Sequence, residues 1–300
     1  MSFDKIFVLG AGAIGSVYGA LLSEKNDVTL IGSKGHVNAI SSKGLSISGE
    51  IKDILQIEVD TEIRAIPEKT LILLTTKAHD SAKAVRRIKN KLREDTVILV
   101  LQNGLGNKEV VSRIVGCEAE ILRGVTAMAA EFFEPGKVRF WKGETTIEKS
   151  KAAEMIQESF IESELSTKIS EDITRDVWEK VVVNCVVNPL SALLRARDNE
   201  LITESLRSIR HGIVRECVAV GEAEEVMFPH GFEEIVDRRI SKYKNFSSMY
   251  QDLIKKKRTE IDFLNGKLVE LARKHDIPTP LNEALTSFIK FMGDRNGVSG

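Results

Sequence analysis

Lys5-Ile6-Phe7-Val8-Leu9-Gly10-Ala11-Gly12-Ala13-Ile14-Gly15 decides the fold. Ile6 to Leu9 is a short run without a polar residue, the pattern of a strand buried on both faces. Gly10, Gly12 and Gly15 then fall in the order G-x-G-x-x-G. Ile14, Val17, Tyr18, Leu21 and Leu22 follow at helical spacing up to Ser23. Strand, glycine turn and helix together form the context in which this pattern indicates dinucleotide binding. The first glycine permits the tight turn, the second lets the backbone approach a pyrophosphate, and the third lets the helix pack closely on the strand. At the helix start, around Ala13 and Ile14, free N–H groups and the positive dipole end suit a diphosphate.

Working outward, the strand signal recurs at Val28–Ile31, 71–74 and 97–101, with an amphipathic helix expected over 82–92. Alternating strands and helices predict a parallel sheet covered by helices. Leu45, Ile47, Ile57 and Val59 alternate with polar residues, so a small antiparallel excursion is expected over 44–59. Residues 119–148 look rich in strands, with turn chemistry at Glu134-Pro135-Gly136. A helix over 151–160 and a last strand at 167–169 close this part. Beyond Asp172 the spacing predicts only helices, over 172–194, 201–223, 232–241, 259–274 and 282–292. The expected architecture is an α/β Rossmann-type dinucleotide-binding domain, residues 1–168, followed by an all-α substrate-binding domain, residues 169–300.

Composition narrows the function classes. Lys and Arg number 43 against 44 Asp and Glu, giving a formal net charge of −1. No global basic field argues for nucleic acid or an anionic membrane. The run Lys255-Lys256-Lys257-Arg258 reads as a solvated face. Cys117, Cys185 and Cys217 form neither a pair nor a metal-like cluster, which suits a reducing compartment. The first residues lack the features of a signal peptide, and no apolar run suggests a membrane span. The expectation is a soluble cytoplasmic protein with no metal and no nucleic-acid partner. A homodimer is compatible with it.

Two further stretches carry chemistry. After the second strand, Leu30-Ile31-Gly32-Ser33-Lys34 holds no carboxylate for a ribose 2′-hydroxyl. Ser33 and Lys34 suit a 2′-phosphate instead, so NADP is favoured over NAD. In Trp178-Glu179-Lys180-Val181-Val182-Val183-Asn184-Cys185-Val186-Val187-Asn188-Pro189-Leu190, Lys180, Asn184 and Asn188 recur every four residues and share one helix face. Their apolar neighbours imply burial, and unpaired polar groups there are costly. A polar ligand or a network between helices would satisfy them. Pro189 is expected to distort or end this helix. Ser248 and Glu260, taken alone, read as a cap hydroxyl and a first-turn carboxylate.

These blocks together resemble the ketopantoate reductase (2-dehydropantoate 2-reductase) family over nearly the whole chain. The resemblance rests on Gly10 to Gly15, Thr76-Lys77, Gln102-Asn103-Gly104, Lys180 to Leu190, Ser248 to Asp252 and Thr259 to Gly266. It implies that Lys180 is the general acid and that Glu260 binds the substrate hydroxyl and helps hold the lysine. Asn184, Asn188 and Ser248 would grip the substrate, with Lys77 and Asn103 beside both cofactor and substrate. The cofactor implied is NADPH (NADP+), held by Gly10, Gly12, Ala13, Ile14, Gly15, Ser33 and Lys34. One departure stands out: Asp198-Asn199-Glu200 replaces the family's common Asn-Gly-Glu. A carboxylate at Asp198 would repel an anionic substrate if it pointed inward.

The expected reaction is reduction of 2-dehydropantoate to pantoate, a step toward pantothenate and coenzyme A. Two alternatives stay open at this point. One is a related dehydrogenase acting on another 2-keto acid. The other is a non-catalytic NADP sensor, which would leave Lys180 and Glu260 without a chemical purpose.

Overall fold

Apolar runs of four or five residues, too short for helices, form the centre of a parallel sheet. The computed structural model describes residues 3–297. One compact unit extends to Gln102 and resumes from Gly106 to Ile173; the other comprises Asn103–Leu105 and the chain from Thr174 onward.

The elements of the first unit are, in chain order, β1 (Lys5–Leu9), α1 (Ala13–Leu22), β2 (Val28–Ile31), α2 (Lys34–Lys43), β3 (Leu45–Gly49), β4 (Asp53–Leu55) and β5 (Glu58–Asp60). They continue with β6 (Thr70–Leu74), α3 (Ala78–Ile88), β7 (Val97–Val100), α4 (Asn107–Val115), β8 (Glu120–Thr126), β9 (Ala129–Glu134), β10 (Lys137–Trp141), β11 (Thr145–Glu148), α5 (Lys151–Glu162) and β12 (Thr167–Ser170). Eight strands form the main sheet in the order β12-β11-β8-β7-β6-β1-β2-β5. All its neighbours are parallel except β8 and β11. Leu9 lies opposite both Ile31 and Leu74, so the loops after β1, β2 and β6 emerge side by side. Chain order reverses direction between β1 and β6, the switch point where open α/β sheets bind ligands.

A second sheet has the order β4-β3-β10-β9. The excursion expected over 44–59 is antiparallel at β3–β4, but β3 also pairs parallel with β10. β5 leaves it to edge the main sheet beside β2. Alternating polarity marks a strand with one covered face and does not say which sheet it joins. Two helices of this unit lie outside the sequence expectation, as does the short helix Ser248–Ile254 of the other unit. α2 buries only His36 and Ile40 and has no broad apolar stripe, whereas α4 carries one, Val110, Val111, Ile114 and Val115, directly after a glycine-rich turn. Lys34 is therefore the first residue of a helix rather than a loop lysine.

The second unit is helical, and among the described residues it holds no strand. Its helices are α6 (Ile173–Leu194), α7 (Glu204–Ala223), α8 (Phe232–Ile240), α9 (Ser248–Ile254), α10 (Asn265–Lys274) and α11 (Pro280–Arg295). Pro189 lies inside α6 and does not end it. The missing N–H of Pro189 would have bonded the carbonyl of Cys185. Asn265 Nδ2 donates to that carbonyl instead at 2.9 Å, and the same amide donates to Asn282 Oδ1 at 2.9 Å. A distant side chain thus replaces the lost rung. The single helix expected over 259–274 is a 3-10 turn, Ile261–Phe263, followed by α10. The break at Leu264 frees the Phe263 carbonyl to accept from Leu105 N–H at 3.2 Å.

α6 also corrects the expectation of no span-like segment. An 18-residue window of it has mean hydropathy 1.3, long and apolar enough to cross a membrane, yet 78% of that window is buried in the protein.

Candidate active site

The glycine turn is fixed by its neighbours. Gly10 has φ +116°, a backbone that favours glycine. A Cβ on Gly10 would lie 2.4 Å from Thr76 N, and one on Gly15 would lie 2.3 Å from the Gly10 carbonyl. Thr75 Oγ1 donates to that same carbonyl at 2.9 Å, while Gly10 N–H and Ala11 N–H both donate to Ile31 O. Gly12 is different: a Cβ there would meet nothing nearer than 3.9 Å. Gly12 also starts α1 without a side-chain cap, so no capping side chain takes its first-turn donors, near Ala13 and Ile14. A turn closed on two glycines and open at the third is a cradle for a diphosphate, and the residues present fit a dinucleotide.

The end of β2 holds Ser33 and Lys34, both exposed at the start of α2. Ser33 makes no side-chain capping bond among the described residues. His36, one turn on, is buried. Its Nδ1 accepts from Gly136 N–H at 3.0 Å, so Nε2 carries the hydrogen and faces Ser16 Oγ at 3.0 Å. Burial pushes the His36 pKa down, which favours this neutral form. Asp60, which the sequence reading missed, ends β5 in register with Ile31. Its carboxylate accepts from Thr61 N–H at 2.6 Å and pairs with Arg64 at 3.4 Å. Only strand pairing reveals it, because 29 positions separate it from Ile31.

At the ends of β6 and β7, Lys77 is the half-buried residue before α3. Gln102 Nε2 donates to Thr76 Oγ1 at 3.2 Å and to Ser81 Oγ at 2.7 Å. Arg123, also absent from the sequence expectations, is buried in β8. Its guanidinium donates to the carbonyls of Val100, Gln102 and Gly124 at 2.6–2.7 Å. It sets the backbone that leads into Asn103. A fully buried cation is normally costly, and burial pushes the Arg123 pKa down to about 10.

In the helical unit, every residue of α6 from Val177 to Ala192 is buried except Lys180 and Asn184, which are half-buried. The two amides of the stripe, Asn184 and the buried Asn188, make no side-chain hydrogen bond among the described residues. They are donors and acceptors with capacity to spare on an otherwise apolar helix. Glu260 is only 6% exposed, so it is not the solvated carboxylate of its isolated reading. It precedes the 3-10 turn at Ile261–Phe263, and Asn265, five residues on, bonds α6 at Cys185. Asn103 belongs to the same unit. Gly104, at φ +97°, packs so closely on Phe263 that a Cβ would lie 2.4 Å from its carbonyl.

Ser247, not Ser248, is the cap of α9. Its hydroxyl accepts from Tyr250 N–H at 3.1 Å and donates to the Asn188 carbonyl at 3.3 Å. Ser248 is the first helical residue and is half-buried, so its hydroxyl is not needed as a cap. Ser247→Ala should therefore lose about 1 kcal/mol of stability, the usual magnitude for a cap. Urea denaturation checks this, and an unchanged midpoint would assign the cap elsewhere.

Comparison with known proteins covers both units. Residues 6–152 match the family model "Ketopantoate reductase PanE/ApbA" and residues 172–293 match its C-terminal model. A 2-dehydropantoate 2-reductase of Pyrococcus horikoshii is 35% identical, with 98% of this chain and 99% of that protein covered. The crystal structure of a PanE/ApbA family ketopantoate reductase from Ralstonia eutropha superposes with TM-score 0.91 at 29% identity, covering 98% of this chain and 99% of that one. A D-mandelate dehydrogenase in ternary complex with NADH and anilino(oxo)acetate gives the same TM-score and identity, covering 98% of this chain and 100% of that one.

Proposed function

Because the chain belongs to the ketopantoate reductase (PanE/ApbA) family, we propose that it reduces 2-dehydropantoate to pantoate with NADPH. The observation that carries the reading is the polar stripe of α6. Its two amides make no side-chain hydrogen bond among the described residues, a lysine heads it, and a buried carboxylate, Glu260, lies in the same unit. NADPH, when bound, supplies the hydride; the protein supplies placement.

Gly10, Gly12 and Gly15, with Ala13 and Ile14, hold the diphosphate, and Ser33 and Lys34 receive the 2′-phosphate. Lys77 and Asn103 line the nicotinamide and substrate side. Lys180 Nζ holds the proton that the keto oxygen takes as negative charge develops there. Glu260 accepts from the substrate hydroxyl and orients the lysine. Asn184, Asn188 and Ser248 bind the hydroxyl and carboxylate ends. Donors fixed in advance around a developing oxyanion supply much of the rate in such sites. The three free thiols suit a reducing cytoplasm, where this step is placed.

NADPH preference follows from Lys34 and from Asp60, whose carboxylate is committed to Thr61 and Arg64. Lys34→Ala should weaken NADPH binding roughly 3- to 10-fold, the range for an exposed charge-assisted contact. NADH binding should stay unchanged. Fluorescence titration with both cofactors checks this, and equal losses would remove Lys34 from the 2′-phosphate site.

A second reading, a dehydrogenase of aromatic 2-hydroxy acids using NADH, draws support from the likeness to D-mandelate dehydrogenase. The stacked rings of Phe246 and Tyr250, 4.5 Å apart beside Ser248, suit it. Relative kcat/KM for aliphatic and aromatic keto acids separates the two.

A further inference from the structure

Asp198 is buried, 2% exposed, in the 3-10 turn Asp198–Leu201. Its Oδ2 accepts from Asn245 Nδ2 at 2.9 Å, and its N–H donates to the Asn245 carbonyl at 3.0 Å. Its Oδ1 is buried with no hydrogen-bond partner among the described residues, although Ser191 stands beside the carboxyl. Ser191 has one hydroxyl hydrogen, and it goes to the Ala196 carbonyl at 2.7 Å. What the Ser191 oxygen presents to Asp198 is therefore a lone pair. An ionised Asp198 would set one acceptor against another in a buried site, which is unfavourable. A proton on Oδ1 resolves it: the acid donates to Ser191 Oγ while Oδ2 still accepts from Asn245.

We propose that Asp198 is a positioning residue that carries a proton on Oδ1 and, through Ser191 and Asn245, holds the segment 245–248 in the form that binds the keto acid. The inference rests on the reductase reading given above. The segment ends in Ser247, tied to the Asn188 carbonyl, and in Ser248. Ser247 N–H also reaches Ser191 Oγ at 3.4 Å. When Asp198 ionises, either the acceptor pair repels or Ser191 swings its hydrogen away from Ala196. One bond of the junction is lost in both cases. Asp198 faces Asn245 and Ser191 and acts through them.

Burial pushes the Asp198 pKa up to about 7, with the hydrogen bond from Asn245 drawing it back. Tyr243 feels both Asp198 and Arg239 and is itself pushed up by burial. Arg197 lies over the Phe246 ring and bonds the Lys244 carbonyl. Glu200 accepts from Arg197 N–H, and Arg210 is held by Asp237. Among the described residues, none forms an ion pair with Asp198.

The test compares the unaltered enzyme with Asp198→Asn and Asp198→Ala. The Asn amide donates to Ser191 Oγ and its carbonyl accepts from Asn245, so it imitates the neutral acid at every pH. The KM for 2-dehydropantoate, at saturating NADPH, should rise on the order of tenfold between pH 7 and 8.5 in the unaltered enzyme relative to Asp198→Asn. Asp198→Ala should show a raised KM at all pH values, and NADPH affinity by titration should follow one profile in all three. Superimposable KM profiles for the unaltered enzyme and Asp198→Asn would overturn the inference.

A second arm needs no substrate. The unfolded chain ionises near the ordinary 3.8 and the folded protein near 7, so stability is lost to the unaltered protein alone as pH rises between them. The Tm of Asp198→Asn minus that of the unaltered protein should grow from pH 4 to 7 and then level. A constant difference would contradict the proton on Oδ1. Absence of turnover with every keto acid would overturn the functional reading and the substrate half of the inference together. The Tm difference would then decide the proton by itself.

Discussion

Lys180→Ala should lower kcat by roughly 10²–10⁴-fold, the range for removal of a positioned proton donor. NADPH affinity should change little, because the glycine turn is built entirely in the other unit. The helix should also survive: Lys180 is one of only two half-buried positions between Val177 and Ala192, so its truncation opens no enclosed cavity. KM should rise as well if the ammonium attracts the keto oxygen before hydride transfer. Steady-state kinetics beside a direct NADPH titration separate these effects. Near-normal turnover would exclude the acid role. Lost NADPH binding with an intact fold would assign Lys180 to the cofactor.

The second large effect is expected at Gly12. Its backbone, φ −81°, is one that alanine adopts freely, and an added Cβ would meet no protein atom nearer than 3.9 Å. Gly12→Ala should fold with a Tm within a few degrees of the unaltered protein. The same methyl group fills the space reserved for the diphosphate, so NADPH affinity should fall roughly 100-fold, about 2.7 kcal/mol. Gly10→Ala is the contrasting control. Its Cβ would collide with Thr76 N at 2.4 Å and its φ is +116°, so it should lose stability as well as cofactor. Normal NADPH binding by Gly12→Ala would place the diphosphate elsewhere.

Much of this site is written in short-range sequence signals. The Gly10–Gly15 turn is legible because strand, glycine spacing and helix are contiguous. The Lys180-Asn184-Asn188 stripe is legible because four-residue spacing is a helix face whatever the helix packs on. What escaped the sequence depends on chain segments that meet only in three dimensions. Pro189 looks like a helix end until Asn265 supplies a donor to the Cys185 carbonyl from 80 positions away. Asp60 becomes a neighbour of Ile31 only through the pairing of β5 with β2. The cap of α9 turns on whether Ser247 or Ser248 carries it, a one-residue distinction that two adjacent serines conceal. Arg123 reads as an ordinary strand residue until three carbonyls converge on its guanidinium. α2 escaped for a different reason: it buries only His36 and Ile40, so its periodic apolar signal is weak.

The most direct measurement of the central claim is oxidation of NADPH followed by absorbance with 2-dehydropantoate. It is run beside NADH and beside a simple aliphatic and an aromatic 2-keto acid. The predicted result is the highest kcat/KM for 2-dehydropantoate with NADPH, falling by the factor given above in Lys180→Ala. No turnover with any of the keto acids, or a preference for the aromatic acid with NADH, would contradict it.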